Sequence, residues 1–409
     1  MRPRLDDRYL TAAEAAAELG VSMQTLYVYV GRKGIRSQPI PGSRFRQYWK
    51  ADIERIKERG PRGRANSPED VAHESQLTFL TERDILYRGR SAIDLSIRAS
   101  FESVAALLWD VAEEDVFGTP PPATPELFSR LSALLAHQRD VDRITAILPL
   151  LEEANPRAYD LSPAGMARSG ADILRWMAAL TVKAEAPAEG PIHQFVADQL
   201  ARPPEDADLI RRMLILSADH GFESGAYVVR AVASSGVSPW RAVAAGLSVS
   251  VGRRNHLGAV DAISRLLREI DEAVEPEAPI IQRIRDGEAL YGFESPTYVE
   301  GDPIYKHGDP RAKALFRAFE ERIGDDKAFR RLSKALSVAQ EIRGIGPNNA
   351  MACLFLGQRL GLGPRSTLFH LGRAAGWVGH AIEQHAVGEI RHLRGVYTGP
   401  LPDSLKDDG

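Results

Sequence analysis

From residue 101 onward, nearly every segment of this chain repeats its apolar side chains at every third or fourth position. The pattern runs through residues 101–111, 125–137, 146–153, 165–180, 191–200, 207–217, 223–235 and 240–251. It continues through 259–273, 279–286, 312–323, 327–340, 350–360 and 366–384. That period marks amphipathic helices. Turn signals separate the segments, notably Pro120-Pro121-Pro122 and residues 275–279. With scarcely any alternating strand between them, the segments predict an all-α protein. A short extended stretch at 75–80 and Tyr87-Arg88-Gly89-Arg90 precede the helices. Neither a repeat at solenoid spacing nor a low-complexity tract is present.

The 409 residues are enough for two or three domains with sizeable cores, and charge separates one of them from the rest. Residues 1–64 hold 14 Lys and Arg against 7 Asp and Glu. The remainder holds 38 against 48, in a chain that totals 52 and 55. A basic head on an acidic body is expected. Within 9–58, Thr11 caps an Ala/Glu-rich helix through Leu19, and Gly20-Val21-Ser22 makes a tight turn. A second helix spans 23–31, a hairpin 35–48 turns at Pro41-Gly42, and a closing helix covers 52–59. This order resembles the excisionase/MerR-type winged helix-turn-helix. It makes Arg32, Lys33, Arg44 and Arg46 candidate DNA contacts; a small docking or dimerisation module is the alternative. Residues 60–71 then form a Gly/Pro/Arg-rich linker. Cys353 is the only cysteine, which excludes a disulfide framework and fits a reducing compartment. The first residues lack an apolar signal core and no apolar run approaches a membrane span. The expected location is cytoplasmic.

Residues 301–312, Gly-Asp-Pro-Ile-Tyr-Lys-His-Gly-Asp-Pro-Arg-Ala, cannot be one helix, because Pro303 and Pro310 interrupt it. They read as a shaped loop ending on an Asp-Pro-Arg turn that opens a helix. Such a turn can fix the Arg311 guanidinium for bidentate capture of a carboxylate; an ion pair with a nearby acid is the alternative.

Further blocks stand in order around that loop. They are Ser217-Ala218-Asp219-His220-Gly221-Phe222-Glu223-Ser224, residues 252–261 with Asn255-His256-Leu257-Gly258, and Pro347-Asn348-Asn349-Ala350. Gly372-Arg373-Ala374-Ala375-Gly376-Trp377 and Arg394-Gly395-Val396-Tyr397-Thr398-Gly399-Pro400 complete the set. Over residues 72–402 the chain resembles citrate synthase, in a bacterial subgroup carrying a helix-turn-helix head. The resemblance implies a two-domain helical homodimer. Its large domain would be residues 72–267 with 366–409 and its small domain 268–365, after a head of 1–59.

By that resemblance, His220, Arg311, Arg373 and Arg394 hold oxaloacetate, Arg394 reaching into the neighbouring subunit. His256 hydrogen-bonds the thioester carbonyl, a role that needs a neutral donor aimed at developing negative charge. Leu257 departs from the usual His-Gly-Gly. Tyr305 and Asn348 fall in segments that contact CoA. Two catalytic groups are not matched. Ala350 stands where the family has its general-base Asp, and a methyl group accepts no proton. Asp302 stands where the family has the histidine that polarises the ketone. A second alignment puts Ser295 there but loses Arg311. His307 or Asp302 could substitute if geometry allowed, and Ser217 replaces another histidine the family often carries.

Anion-binding groups kept and acid–base groups lost give the expected function. It is a citrate synthase-like protein that binds oxaloacetate or a related carboxylate and is catalytically weak or inactive, as a metabolite sensor or as the regulatory half of a heterodimer with an active homologue. The alternative is active condensation of acetyl-CoA, or another short acyl-CoA, with oxaloacetate. No resident cofactor and no metal site are expected.

Overall fold

The computed structural model describes residues 9–19, 21, 23, 26, 30, 35–40, 46–50, 52–53, 74–252, 258–293, 298–299, 302–305 and 308–388, with backbone alone at 258, 298–299 and 302–303. The chain divides into two compact units, Met1–Glu74 with Arg391–Gly409, and Ser75–Ile390.

In the first unit, strands β1 (Tyr9–Thr11), β2 (Ser37–Pro39) and β3 (Arg46–Trp49) form an antiparallel sheet in the order β1-β3-β2. Helix α1 (Ala12–Leu19) starts where expected. Thr11 Oγ1 accepts from Glu14 N while Glu14 Oε2 accepts from Thr11 N, a reciprocal cap. Ala15, Leu26, Ile35, Tyr48 and Ile53 make a small core. Arg36 pairs with the buried Asp52 at 2.9 Å and lies over Trp49. Most of the expected second helix, of which Met23, Leu26 and Val30 are described and helical, lies outside the described residues, as do the Pro41-Gly42 turn, most of the closing helix, Arg32, Lys33 and Arg44.

The second unit opens on a small sheet of β4 (Thr78–Leu80), β5 (Ile85–Tyr87) and β6 (Arg90–Ser91). Arg88 and Gly89 both have positive φ, 44° and 78°, the conformation a two-residue hairpin with right-handed twist requires. Helices follow as α2 (Ala92–Arg98), α3 (Phe101–Trp109), α4 (Glu113–Phe117), α5 (Phe128–Leu134), α6 (Asp140–Glu153) and α7 (Pro163–Val182). Next come α8 (Ile192–Gln199), α9 (Pro204–Ser217), α10 (Ser224–Ala233), α11 (Pro239–Ser250), α12 (Gly258–Glu272) and α13 (Ala278–Asp286). A ribbon of β7 (Tyr298–Val299) and β8 (Asp302–Pro303) precedes α14 (Pro310–Ile323), α15 (Lys327–Arg343), α16 (Asn349–Arg359) and α17 (Leu368–Val387). The fold is largely helical, but the all-α expectation needs correction for three small sheets. Their strands of two to four residues are too short for a periodic signal in the sequence.

Two helices buried round most of their circumference, α7 and α17, form the centre of this unit. Trp109 of α3 donates its indole N–H to Ala375 O at 2.8 Å. Glycines let α17 lie against the end of α9. A Cβ at Gly372 would stand 2.8 Å from Leu214 O, and one at Gly376 would stand 2.4 Å from Ala218 O. No side chain fits such gaps, and Gly376 N instead donates to Ala218 O at 3.0 Å. That close approach brings Arg373 to the C-terminal end of α9. Near the other end of α17, Glu383 accepts from Ser75 Oγ and Gln76 N, each at 2.8 Å, and so clasps the start of the unit.

Candidate functional site

Helix α9 stops at Ser217 and the chain turns sharply before α10. Asp219 makes the turn: its Oδ2 accepts from Gly221 N at 2.9 Å, and Gly221 takes φ +63°. The buried Tyr87 hydroxyl donates to Ile215 O at 3.0 Å and receives Asp219 N at 3.3 Å, which ties the hairpin to this corner. Burial pushes the Tyr87 phenol up to about 12, so it stays a neutral hydrogen-bonding group. The corner presents His220, 6% exposed, with Nε2 2.7 Å from Tyr305 Oη. Burial, then the positive charges of Arg311 and Arg373, push His220 well below its ordinary 6.5, so the ring is neutral at pH 7.

A stability consequence follows from that depression. The unfolded chain takes up a proton at His220 before the folded chain does. This residue therefore subtracts nothing above about pH 6.5 and progressively destabilises the fold as pH falls below it. Urea unfolding of His220→Gln is expected to show a shallower loss of stability than wild type between about pH 6.5 and pH 5. Parallel slopes for the two proteins would refute the neutral, buried state of this ring.

The Asp-Pro-Arg turn supplies a first guanidinium. Asp309 caps α14 by accepting from Arg311 N at 3.0 Å, and the same carboxylate takes Arg311 Nε at 3.0 Å and Nη2 at 2.8 Å. Asp309 Oδ2 also accepts from Asn349 N at 3.1 Å, joining α14 to α16. Of the two readings left open for Arg311, this structure contains the ion pair with a nearby acid. Burial opposes the charge on Arg311, but Asp309 outweighs it and holds the guanidinium firmly protonated. Arg373 of α17 is the second, 4% exposed. Its Nε donates to Ser217 O at 2.9 Å, its Nη1 lies 3.7 Å from Glu223 Oε1, and the group rests over Phe369.

Helix α16 forms a third wall. Asn348 caps it by accepting from Met351 N at 3.2 Å, and its own N–H donates to Gly292 O at 2.7 Å. One residue into the helix, the half-buried methyl of Ala350 faces the cavity; a turn later comes Cys353, whose thiol burial pushes up to about 11.

His220, Arg311, Asn348, Ala350 and Arg373 thus line one cavity of about 420 Å³, within the range of small-molecule sites. Sequence reasoning assigned no role to Glu223, Cys353, Phe369 or Trp377, which line it too. The place of Glu223 at the first position of the helical segment 223–235 was the available signal for a helix cap. Its carboxylate is engaged by Gly225 N at 2.7 Å, Ala226 N at 3.0 Å and Trp377 Nε1 at 2.9 Å.

Other expected residues fall elsewhere. Tyr305 is buried with its hydroxyl on His220. Asp302 pairs in β8 with Val299, and its side chain lies outside the described residues. His256, His307 and Arg394 lie outside them as well. Arg46 belongs to the other unit, exposed, with Nε 3.1 Å from Ser37 Oγ and Nη2 3.0 Å from Ser37 O. Among the described residues no His, Cys, Asp and Glu cluster could hold a metal, and no helix is long and apolar enough to cross a membrane. Two buried guanidiniums beside a neutral imidazole suit a di- or tricarboxylate.

Known proteins share this chain's sequence pattern and its fold. Residues 69–394 match the family model described as "Citrate synthase, C-terminal domain". Putative citrate synthase 2 of Mycobacterium tuberculosis is 28% identical over 212 residues, covering 49% of this chain and 54% of that protein, so the match spans about half of this relative's length. The 2-methylcitrate synthase of the same organism is 26% identical over 348 residues, covering 77% and 84%. The fold is shared with citrate synthase of Thermoplasma acidophilum, solved with carboxymethyl coenzyme A and oxaloacetate. That match has a TM-score of 0.65 at 22% identity, over 81% of this chain and 95% of that one.

Proposed function

Since the chain belongs to the citrate synthase family, we propose that it binds oxaloacetate or a related di- or tricarboxylate and carries out the family's condensation weakly or not at all. One observation carries this reading: His220, Arg311 and Arg373 line the cavity together with Ala350, the residue at which the family resemblance implies a base. Loss of a positioned base removes a factor of about 10²–10⁴ in rate. The division into residues 72–267 with 366–409 and 268–365, the homodimer and Arg394 acting across it belong to the same proposal. So does the use of the protein: closure over a ligand changes how winged-helix heads within residues 9–58 are presented to DNA, or the chain pairs with an active homologue.

Calorimetry with oxaloacetate, beside an assay of CoA release from acetyl-CoA, tests this. Binding that Arg373→Ala weakens at least tenfold, with CoA release at background, is the expected result. Turnover at an ordinary enzyme rate, about 1–10³ s⁻¹, would overturn it. The names of the relatives favour a second reading, active formation of citrate or 2-methylcitrate. On that reading Asp302 or His307 supplies the base.

A further inference from the structure

We propose that Asp219, held in place by His380 and Arg230, is a positioning residue for His220. Only the ligand-binding arm of its test rests on the function proposed above. Asp219 is fully buried. Its Oδ2 takes Gly221 N–H at 2.9 Å, closing the turn on which His220 stands, and its Oδ1 lies 3.2 Å from His380 Nε2. On the far side of that ring, Arg230 Nη1 lies 3.1 Å from Nδ1 and 2.8 Å from Glu383 Oε2.

These contacts fix a direction. Arginine only donates, so His380 Nδ1 accepts and Nε2 carries the hydrogen aimed at Asp219. Asp219 therefore receives Gly221 N–H on one oxygen and His380 Nε2–H on the other. Burial alone would raise this carboxyl, but the hydrogen bond from His380 and the charge of Arg373 hold it below the ordinary carboxylate range, ionised and able to accept both. Phe222, two residues after His220, adds a second tie: its ring stands 5.6 Å from that of His380 and 5.1 Å from the Arg230 guanidinium. None of Asp219, Arg230, His380 and Glu383 lines the cavity. Their influence on a ligand runs through the placement of His220.

Full-length protein labelled with ¹⁵N-histidine reads this directly, with the His220 ring resonances assigned by His220→Gln. His380→Leu is expected to move the His220 ring-nitrogen resonances. It should also weaken oxaloacetate binding about tenfold or more, the scale at which ångström-level misplacement acts. His380→Gln keeps an acceptor for Arg230 and a donor for Asp219, and is expected to return both readouts toward wild type. If His380→Leu does not fold, Glu383→Gln perturbs the outer end of the chain and is expected to shift the same resonances by less. Unchanged His220 resonances in the folded variants, or a Gln variant as impaired as Leu, overturn the proposal. A wild type that binds no oxaloacetate overturns the function proposed above, and the ring resonances alone then decide the positioning role.

Discussion

Ala350→Asp is expected to raise CoA release from acetyl-CoA and oxaloacetate by about 10²-fold or more over wild type, the contribution a positioned base makes. The site is suited to receive the carboxylate. Residue 350 lies in the first turn of α16, directly after Asn348 and Asn349, where the helix N-terminus favours negative charge. It is half-buried and lines a cavity of about 420 Å³, into which a larger side chain can extend. Arg311 and Arg373 on the same cavity further favour the ionised form. Combining the change with Asp302→His is expected to add to the gain by restoring the second group that the family resemblance implies. A folded Ala350→Asp protein that binds oxaloacetate yet releases CoA no faster than wild type would sink the idea of an intact scaffold lacking only its base.

The second large effect concerns stability. Asp309→Ala leaves Arg311 buried without its bidentate partner, and also removes the cap from α14 and the acceptor for Asn349 N. Breaking a buried pair from one side costs about 3–5 kcal/mol. Guanidinium unfolding of Asp309→Ala should register a loss of that order, and a loss below about 1 kcal/mol would show the pair to be solvated and weak. The double variant Asp309→Ala with Arg311→Ala should lose less than the sum of the singles, since the stranded charge is gone. Oxaloacetate should stabilise Asp309→Ala more than wild type, because a ligand carboxylate can take the place of the one removed.

How much of this was readable beforehand depended on length and on sequence distance. Long, strongly periodic helices such as α7, α9 and α17 were legible because their apolar stripes recur over several turns. Helices α2 and α4, of seven and five residues, were not; of the strands, only β4 in the extended stretch at 75–80 and the β2–β3 hairpin within 35–48 were legible. The quoted blocks located His220, Arg311, Asn348, Ala350 and Arg373, which meet on one cavity although more than 150 residues separate the first from the last. The partners of those residues escaped. Spacing offered no sign that Tyr305 faces His220, or that Asp309 takes the Nε–Nη2 edge of Arg311. Each depends on how a turn is folded, and a turn's side-chain directions are not periodic.

Glu383 holding Ser75 and Gln76 has a mechanical meaning. A pull on the chain at residue 74 would reach that clasp before it reached β4, whose three residues could be peeled away one ladder bond at a time. Through the clasp the load enters α17, a continuous rod of twenty residues, and Arg373 sits on the same rod. A load entering at residue 74 is thereby carried by the element that forms one side of the cavity.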